Sequence, residues 1–257
     1  MGHGTRGRYL EIGGERSLAK RFESTLSPLY ARRMIYVCAG MYRSGSTWLY
    51  NAARHILQHA SVPDLATGWI TEKDAILGHE NALIKIHSYD PDLAARADVV
   101  LTSHRDLRDV AASIFRKFKL EFSTEPILET VQDYSRWAKI AAYDLHYERL
   151  LVNKMDELRN IAAVLKLPPA AVAALSLETI LSEIEGEQFT EGRSTEQRFD
   201  AVNLMHENHV TDGRHGSWEG FVPDELIRAI EVEFANWMRE KGYLERTVDS
   251  SGNHTSE

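Results

Sequence analysis

Residues 34–39, MIYVCA, form an unbroken apolar run of strand length, and beyond them Leu49, Ala53, Ile56 and Leu57 recur at the spacing of a helix over 46–59. The same pair of patterns returns along the chain. Strand-like runs appear at 82–87 (ALIKIH) and 98–103 (DVVLTS), and the second is followed by Leu107, Val110, Ala111, Ile114, Phe115 and Phe118 at helical spacing. Tyr143, Leu145 and Tyr147 alternate, which predicts a fourth strand over 142–147. Helices are expected over 154–165 and 170–186. The last helix is the best punctuated: Pro223 at its first position, Asp224 and Glu225 in its first turn, Gly242 just past its end. Its apolar stripe is Leu226, Ile227, Ile230, Phe234, Trp237 and Met238. Residues 60–80 carry no interpretable pattern, with Trp69 an apolar candidate for a pocket; residues 187–215 show little periodicity, hold Phe189 as another, and read as a long functional loop or lid.

Strand–helix alternation of this kind predicts an α/β fold: three α/β/α layers around a central parallel sheet. Ligands of such sheets gather beyond the carboxyl ends of the strands. At 257 residues with 43% apolar content, the chain can bury one sizeable core. The expected organisation is an N-terminal extension over 1–33, one domain over 34–245 and a disordered polar tail over 246–257.

Composition narrows the function classes. A formal net charge of −8 argues against a general nucleic-acid binder. Basic residues nevertheless gather locally, with Arg105, Arg108, Arg116, Lys117 and Lys119 set against only Asp106 and Asp109, a patch suited to a small polyanion. The lone Cys38 excludes a disulfide framework and reads as a small buried hydrophobe. No stretch approaches a membrane span and no secretory segment follows the N-terminus, so the expectation is a soluble, cytoplasmic protein without a membrane partner.

The chemistry concentrates at predicted strand ends. After the first strand comes GMYRSGSTWL, with Gly40, Gly45 and Thr47 at phosphate-loop spacing but Ser46 in the lysine slot. Backbone N–H groups of Ser44, Gly45, Ser46 and Thr47 can ring an anion at the helix start, and Arg43 adds a cation. On the next strand Lys85 and His87 are two residues apart, on one face and about 7 Å apart along the strand. Arg105 stands after the third strand with Ser113 two turns later, a fork and a hydroxyl that suit a second phosphate. Trp48 and Tyr147 could stack on a purine. Each residue alone is more often structural; chance seldom places all of them on successive strand ends.

These motifs resemble the sulfotransferases that use 3′-phosphoadenosine 5′-phosphosulfate (PAPS). Arg43-Ser44-Gly45-Ser46-Thr47-Trp48 is similar to their 5′-phosphosulfate loop, with arginine first as in the carbohydrate branch. Arg105 through Ser113 resembles the 3′-phosphate motif, with Asp-Leu where the family has Asn-Pro. Lys85-Ile86-His87 resembles the Lys-Thr-His of the cytosolic branch, whose histidine is the base, and Tyr147-Glu148 resembles a Tyr-Glu that brings tyrosine to the adenine. The segment from Thr211 to Trp218 aligns the glycines Gly213 and Gly216 and the tryptophan of a late motif but lacks its basic pair, for which Arg214 could substitute.

The resemblance implies PAPS as co-substrate without a metal, and a hydroxyl or amine of a small molecule or glycan as acceptor. His87, Lys85 and Arg43 would be catalytic. Arg43 to Trp48, Arg105, Ser113, Tyr147, Gly213 and Arg214 would hold the nucleotide. Glu72, His206 and His209 are the other candidates for the base. A phosphate-loop kinase of a small metabolite, or a nucleotide-binding protein without turnover, are the alternative readings.

Overall fold

Five parallel strands lie side by side in the order β2-β3-β1-β4-β5: β1 Met34–Cys38, β2 Leu65–Trp69, β3 Asn81–Lys85, β4 Val99–His104 and β5 Tyr143–His146. The computed structural model describes residues 32–119, 121–193, 195, 199–207 and 212–245. The chain divides into two units, Met1–Arg33 and Met34–Glu257, and all of these strands belong to the second. Helices flank the sheet: α1 Ser46–His59, α2 Lys73–Ile76, α3 Pro91–Arg96, α4 Leu107–Phe118, α5 Glu125–Ala138, α6 Tyr147–Val152, α7 Lys154–Val164, α8 Pro169–Ala173, α9 Leu177–Gly186, α10 Asp224–Glu233 and α11 Ala235–Glu240. This is the parallel α/β architecture that the alternation predicts.

The central strands are predominantly apolar because both of their faces are covered, and the polar residues Lys85, Thr102, Ser103 and His104 are buried near their carboxyl ends. On one face Ile35, Val37 and Ala39 of the β1 stretch cluster with Ile84, Val100, Ile76, Leu93 and Trp137. Strand alternation sends Tyr36 and Cys38 to the opposite face. Helix α1 buries Leu49, Ala52, Ala53, Ile56 and Leu57 completely, and each larger aliphatic side chain among them is worth about 1.5–3 kcal/mol. A second cluster joins Leu107, Val110, Ile114 and Phe115 of α4 to Ile127, Val131 and Tyr134 of α5 and to Ile230, Phe234 and Met238.

Several boundaries differ from the sequence reading. The strand expected at 82–87 ends at Lys85, so His87 lies beyond it, although Ile86 N still donates to Cys38 O at 3.0 Å. The strand expected at 142–147 ends at His146, and Tyr147 opens α6 instead of closing a strand. Residues 60–80 hold β2, a turn of 3-10 helix at Ile70–Glu72 and α2. The predicted helix 170–186 breaks where Ser176 accepts from Thr179 N and starts α9. The last helix breaks at Phe234, and Pro223 sits just before its first residue.

The stretch 187–215 is not wholly a loose loop. Asn203 is buried; its Nδ2 donates to Glu187 Oε2 at 2.7 Å and to Gln188 O at 2.8 Å, and its carbonyl accepts from Asn51 Nδ2 of α1 at 2.9 Å. Residues 194, 196–198 and 208–211, including His209 and Thr211, lie outside the described residues. No helix among the described residues is long and apolar enough to cross a membrane.

The strand order fixes where ligands can gather. β1 is central, with β3 on one side and β4 on the other, so the segments leaving these three strands open onto a common crevice. Gly40 sits where they meet. A Cβ there would lie 2.0 Å from Ser103 Oγ and 2.8 Å from Ser46 Cβ. Gly40→Ala is expected to lower stability by about 1–3 kcal/mol, the cost of overpacking. Gly192→Ala, where an added Cβ meets nothing within 4 Å, is the control and should change stability by less than about 0.5 kcal/mol. Equal effects in chemical denaturation at the two positions would remove the packing explanation.

Candidate functional site

Beyond β1 the chain keeps pairing with β4: Ala39 N donates to Leu101 O at 2.8 Å and Met41 N to Ser103 O at 2.9 Å. It then turns sharply through two left-handed residues, Arg43 at φ 60° and Gly45 at φ 80°. The second needs glycine for space as well, since a Cβ would lie 2.9 Å from Tyr147 Cδ2. Buried Ser44 locks the turn, its hydroxyl donating to Met41 O at 2.8 Å and lying 2.7 Å from Ser103 Oγ. Its side chain is thus a structural peg, and the loop offers backbone to a ligand. Helix α1 starts without a capping side chain and without an acidic residue in its first turn. Its first N–H groups therefore have the partnerless, electropositive character that an anion satisfies.

Lys85 and His87 come to the crevice from β3. Lys85 pairs in register with Cys38 and is 4% exposed, with Nζ 5.0 Å from the centre of the Trp69 ring. Burial, with the nearby positive charge of Arg43, brings its ammonium down to about 7. Burial also pushes the Cys38 thiol up to about 12, which makes it inert. His87 turns its Nδ1 to the Gly40 carbonyl at 2.6 Å, and its ring packs on Tyr42 at 4.0 Å and against Trp69 at 5.4 Å. Only a protonated Nδ1 can make that bond, so in the neutral ring the lone pair sits on Nε2. Lys85 and His87 thus both face Trp69, as their spacing predicts.

From β4 and α4 come Arg105 and Ser113. Arg43 Nε donates to Ser113 Oγ at 2.8 Å, so the residues assigned to two phosphates share one wall. Arg105 is 3% exposed, stacks 4.3 Å over the Tyr147 ring and donates from Nη2 to Arg214 O at 2.6 Å. Its Nε is buried with no hydrogen-bond partner among the described residues, and so are Trp48 Nε1 and Arg116 Nη1. Positive groups crowd here: burial and Arg105 lower Arg43, and burial and Arg43 lower Lys117. Buried donors and repelling cations fit an anionic ligand with several acceptor oxygens.

The remaining assignments are placed as follows. Tyr147 donates its hydroxyl to Gly213 O at 2.9 Å. Arg214 grips Asp212 with two hydrogen bonds, of 2.6 and 3.0 Å, so it is its carbonyl that reaches Arg105. Glu72 is exposed, and its Oε2 stands beside Gly68 of β2. His206 packs on Phe199 at 5.7 Å, and Phe199 on Trp69 at 6.2 Å.

Three further residues carry the site. Tyr42 and Trp69 form the walls around His87, in a cavity of about 340 Å³ also lined by Ile70, Ile86, Ser88, Tyr89, Asp90 and Pro91. Fully buried Asp109 accepts from Gly216 N at 2.9 Å, Ser217 Oγ at 2.9 Å and Trp218 N at 3.2 Å, docking the late glycine segment onto α4. The Asp-Val of the second motif is the only signal for Asp109 in the sequence; Trp69 is the apolar pocket candidate of the 60–80 stretch, and it lines the cavity beside His87.

The Lys85 environment sets a pH dependence. Its folded value near 7 lies below the ordinary 10.5, so between these limits the unfolded chain holds a proton that the folded chain does not. Stability from this group therefore rises with pH across that window, and below it the penalty for burying the charge is complete. Lys85→Met is expected to raise the melting temperature more at about pH 6 than at about pH 10. A gain independent of pH in thermal melts would show that Lys85 is not held neutral by burial.

The sequence matches no protein-family model and no curated protein. The structure is similar to that of mouse sulfotransferase SULT7A1 complexed with PAP, with a TM-score of 0.54 and 14% identity over 84% of this chain and 88% of that one. It is also similar to retinol dehydratase in complex with androsterone and inactive cofactor PAP, with a TM-score of 0.50 and 15% identity over 86% of each chain. The chain has the α/β fold of these PAP-bound structures.

Proposed function

We propose that this protein is a sulfotransferase that moves a sulfuryl group from PAPS to a hydroxyl or amine of a small molecule or glycan. The observation that carries the reading is the bond of His87 Nδ1 to the Gly40 carbonyl, which ties a base with its lone pair on Nε2 to the first residue of the anion loop. The fold similarity and the unpartnered buried donors support the nucleotide.

PAPS supplies an activated sulfuryl group whose bridging oxygen belongs to a phosphate. The backbone of Ser44 to Thr47 would hold the 5′ end. Arg105, through Nε, and Ser113 would hold the 3′-phosphate, with Trp48 and Tyr147 toward the adenine. An acceptor in the cavity beside Tyr42 and Trp69 would present its hydroxyl to His87. His87 would take the proton at Nε2 as the acceptor oxygen bonds to sulfur and the sulfur–phosphate oxygen bond breaks. The departing oxygen keeps the electron pair, and Lys85 and Arg43 meet its charge. An arriving anion restores the charged form of Lys85 that burial disfavours.

The absence of a lysine from the loop predicts binding of 3′-phosphoadenosine 5′-phosphate that magnesium does not improve. Calorimetry should show the same affinity with and without magnesium ion, and ATP–magnesium should not displace the ligand. Equal competition by ATP–magnesium would favour the kinase reading.

His87→Ala should cut turnover by about 10²–10⁴-fold, the span of general-base removal, while nucleotide affinity stays nearly unchanged. A folded His87→Ala chain with near-normal turnover on an acceptor that the parent sulfates would end this role for His87.

A further inference from the structure

Helix α1 carries a second constellation at its far end. His55 and His59 are one turn apart and share a face. Glu183 of α9 points one oxygen between them: Oε2 lies 3.0 Å from His55 Nδ1 and 2.8 Å from His59 Nε2. The three ligand atoms all lie within 4.8 Å of one another. We propose that His55, His59 and Glu183 bind one divalent transition-metal ion of the zinc class, which staples α9 to the helix of the anion loop.

The two contacts to Glu183 are close to what an ion requires, and the two histidine nitrogens lie within 4.8 Å of each other. Tetrahedral zinc with bonds near 2.0 Å holds its ligand atoms about 3.3 Å apart. The two short contacts to Glu183 therefore need to open by only a few tenths of an ångström. Two imidazoles with one carboxylate favour zinc and its neighbours over calcium or magnesium. The three side chains leave a fourth position to water, and the site is open enough to admit it, with the Glu183 side chain 40% and the His59 side chain 30% exposed.

A second, independent feature points the same way. The other ring nitrogen of His55, Nε2, lies 3.0 Å from Glu187 Oε1, the carboxylate partner that orients a ligating histidine. Glu187 is itself held by Asn203 Nδ2 at 2.7 Å and by Arg54. Arg54 Nη2 also approaches His55 Nε2 at 3.0 Å and would suit the opposite tautomer. A metal on Nδ1 selects the form in which Nε2–H donates to Glu187. Through Glu187 and Asn203, the ion would also steady the segment that packs on α1.

Zinc chloride titrated into the chelator-treated full chain should bind at one ion per chain in calorimetry and raise the melting temperature. Both effects should fall about 100-fold in apparent affinity, or vanish, in His59→Ala and Glu183→Gln, and cobalt should give the intense visible absorption of a four-coordinate site only in the parent. Nucleotide binding by the His59→Ala chain should match the parent, which keeps this site's fate separate from that of the sulfotransferase reading. Two outcomes would overturn the proposal. One is the absence of zinc binding, which would leave a carboxylate bridging two histidines. The other is binding unchanged in His59→Ala, which would place the ion elsewhere on the chain.

Discussion

Everything at the crevice depends on the close approach of three chains at Gly40. Its backbone passes so near Ser103 of the β4 strand that no side chain fits. Its carbonyl accepts from His87, which has just left the β3 strand. One residue thus sets the height of the anion loop against both neighbouring strands. A shift of register in any of the three strands would move every side chain to the other face, so the apolar content of the strands is also what aims Lys85 and Arg105. The core fixes the chemistry.

That arrangement has an electrostatic cost that the fold relieves in part: Arg105 Nη2 approaches Asp109 Oδ2 at 3.6 Å, and Arg43 Nε donates to Ser113 Oγ at 2.8 Å. Arg43 sits in a left-handed backbone conformation, next to Arg105, and with its own ammonium-like neighbours Lys85 and Lys117. Under β5 buried charges are paired as well: Asp144 takes hydrogen bonds from Tyr134 and Lys241 and approaches His104 at 3.0 Å, and Glu148 takes one from Tyr243. Burial and repulsion by a neighbouring arginine lower both Arg43 and Lys117, a crowding of cations of the kind that gathers at functional sites. It also makes a net charge of −8 compatible with the proposed polyanion site. The field that matters is local.

The sequence made the central strands and the two anion motifs legible because both rest on local pattern. MIYVC and the VVL that opens β4 are apolar runs buried on both faces, and the glycines of the loop answer to close contacts. The edge strand LATGW did not show, because an edge strand is half-buried and Gly68 interrupts its alternation. Helix α5 was unassigned although Ile127, Val131, Tyr134 and Trp137 keep helical spacing; its buried face also holds Thr130, whose hydroxyl accepts from Tyr42 N at 3.0 Å. With β2 unread, Trp69 could not be recognised as the wall shared by Lys85 and His87. The Arg54–Asn51–Asn203–Glu187 network was equally hidden, since it joins positions over a hundred residues apart.

The late glycine segment shows how such long-range contacts alter the meaning of a motif. Read along the chain, Asp212 to Trp218 lacks the basic pair that its resemblance calls for. In three dimensions Asp109 pins Gly216, Ser217 and Trp218, and the segment then presents the carbonyls of Gly213 and Arg214 to Tyr147 and Arg105. A carbonyl that occupies Arg105 Nη2 holds the guanidinium flat over the tyrosine ring and leaves Nε as its unpartnered donor. The segment's contribution is therefore orientation, not charge: it commits one edge of the arginine so that the other edge is fixed in direction. Fixing a donor in advance removes the rotamer entropy that a mobile arginine would lose when it met an anion. A segment without the basic pair can support anion binding in this way, provided the buried carboxylate that docks it is kept.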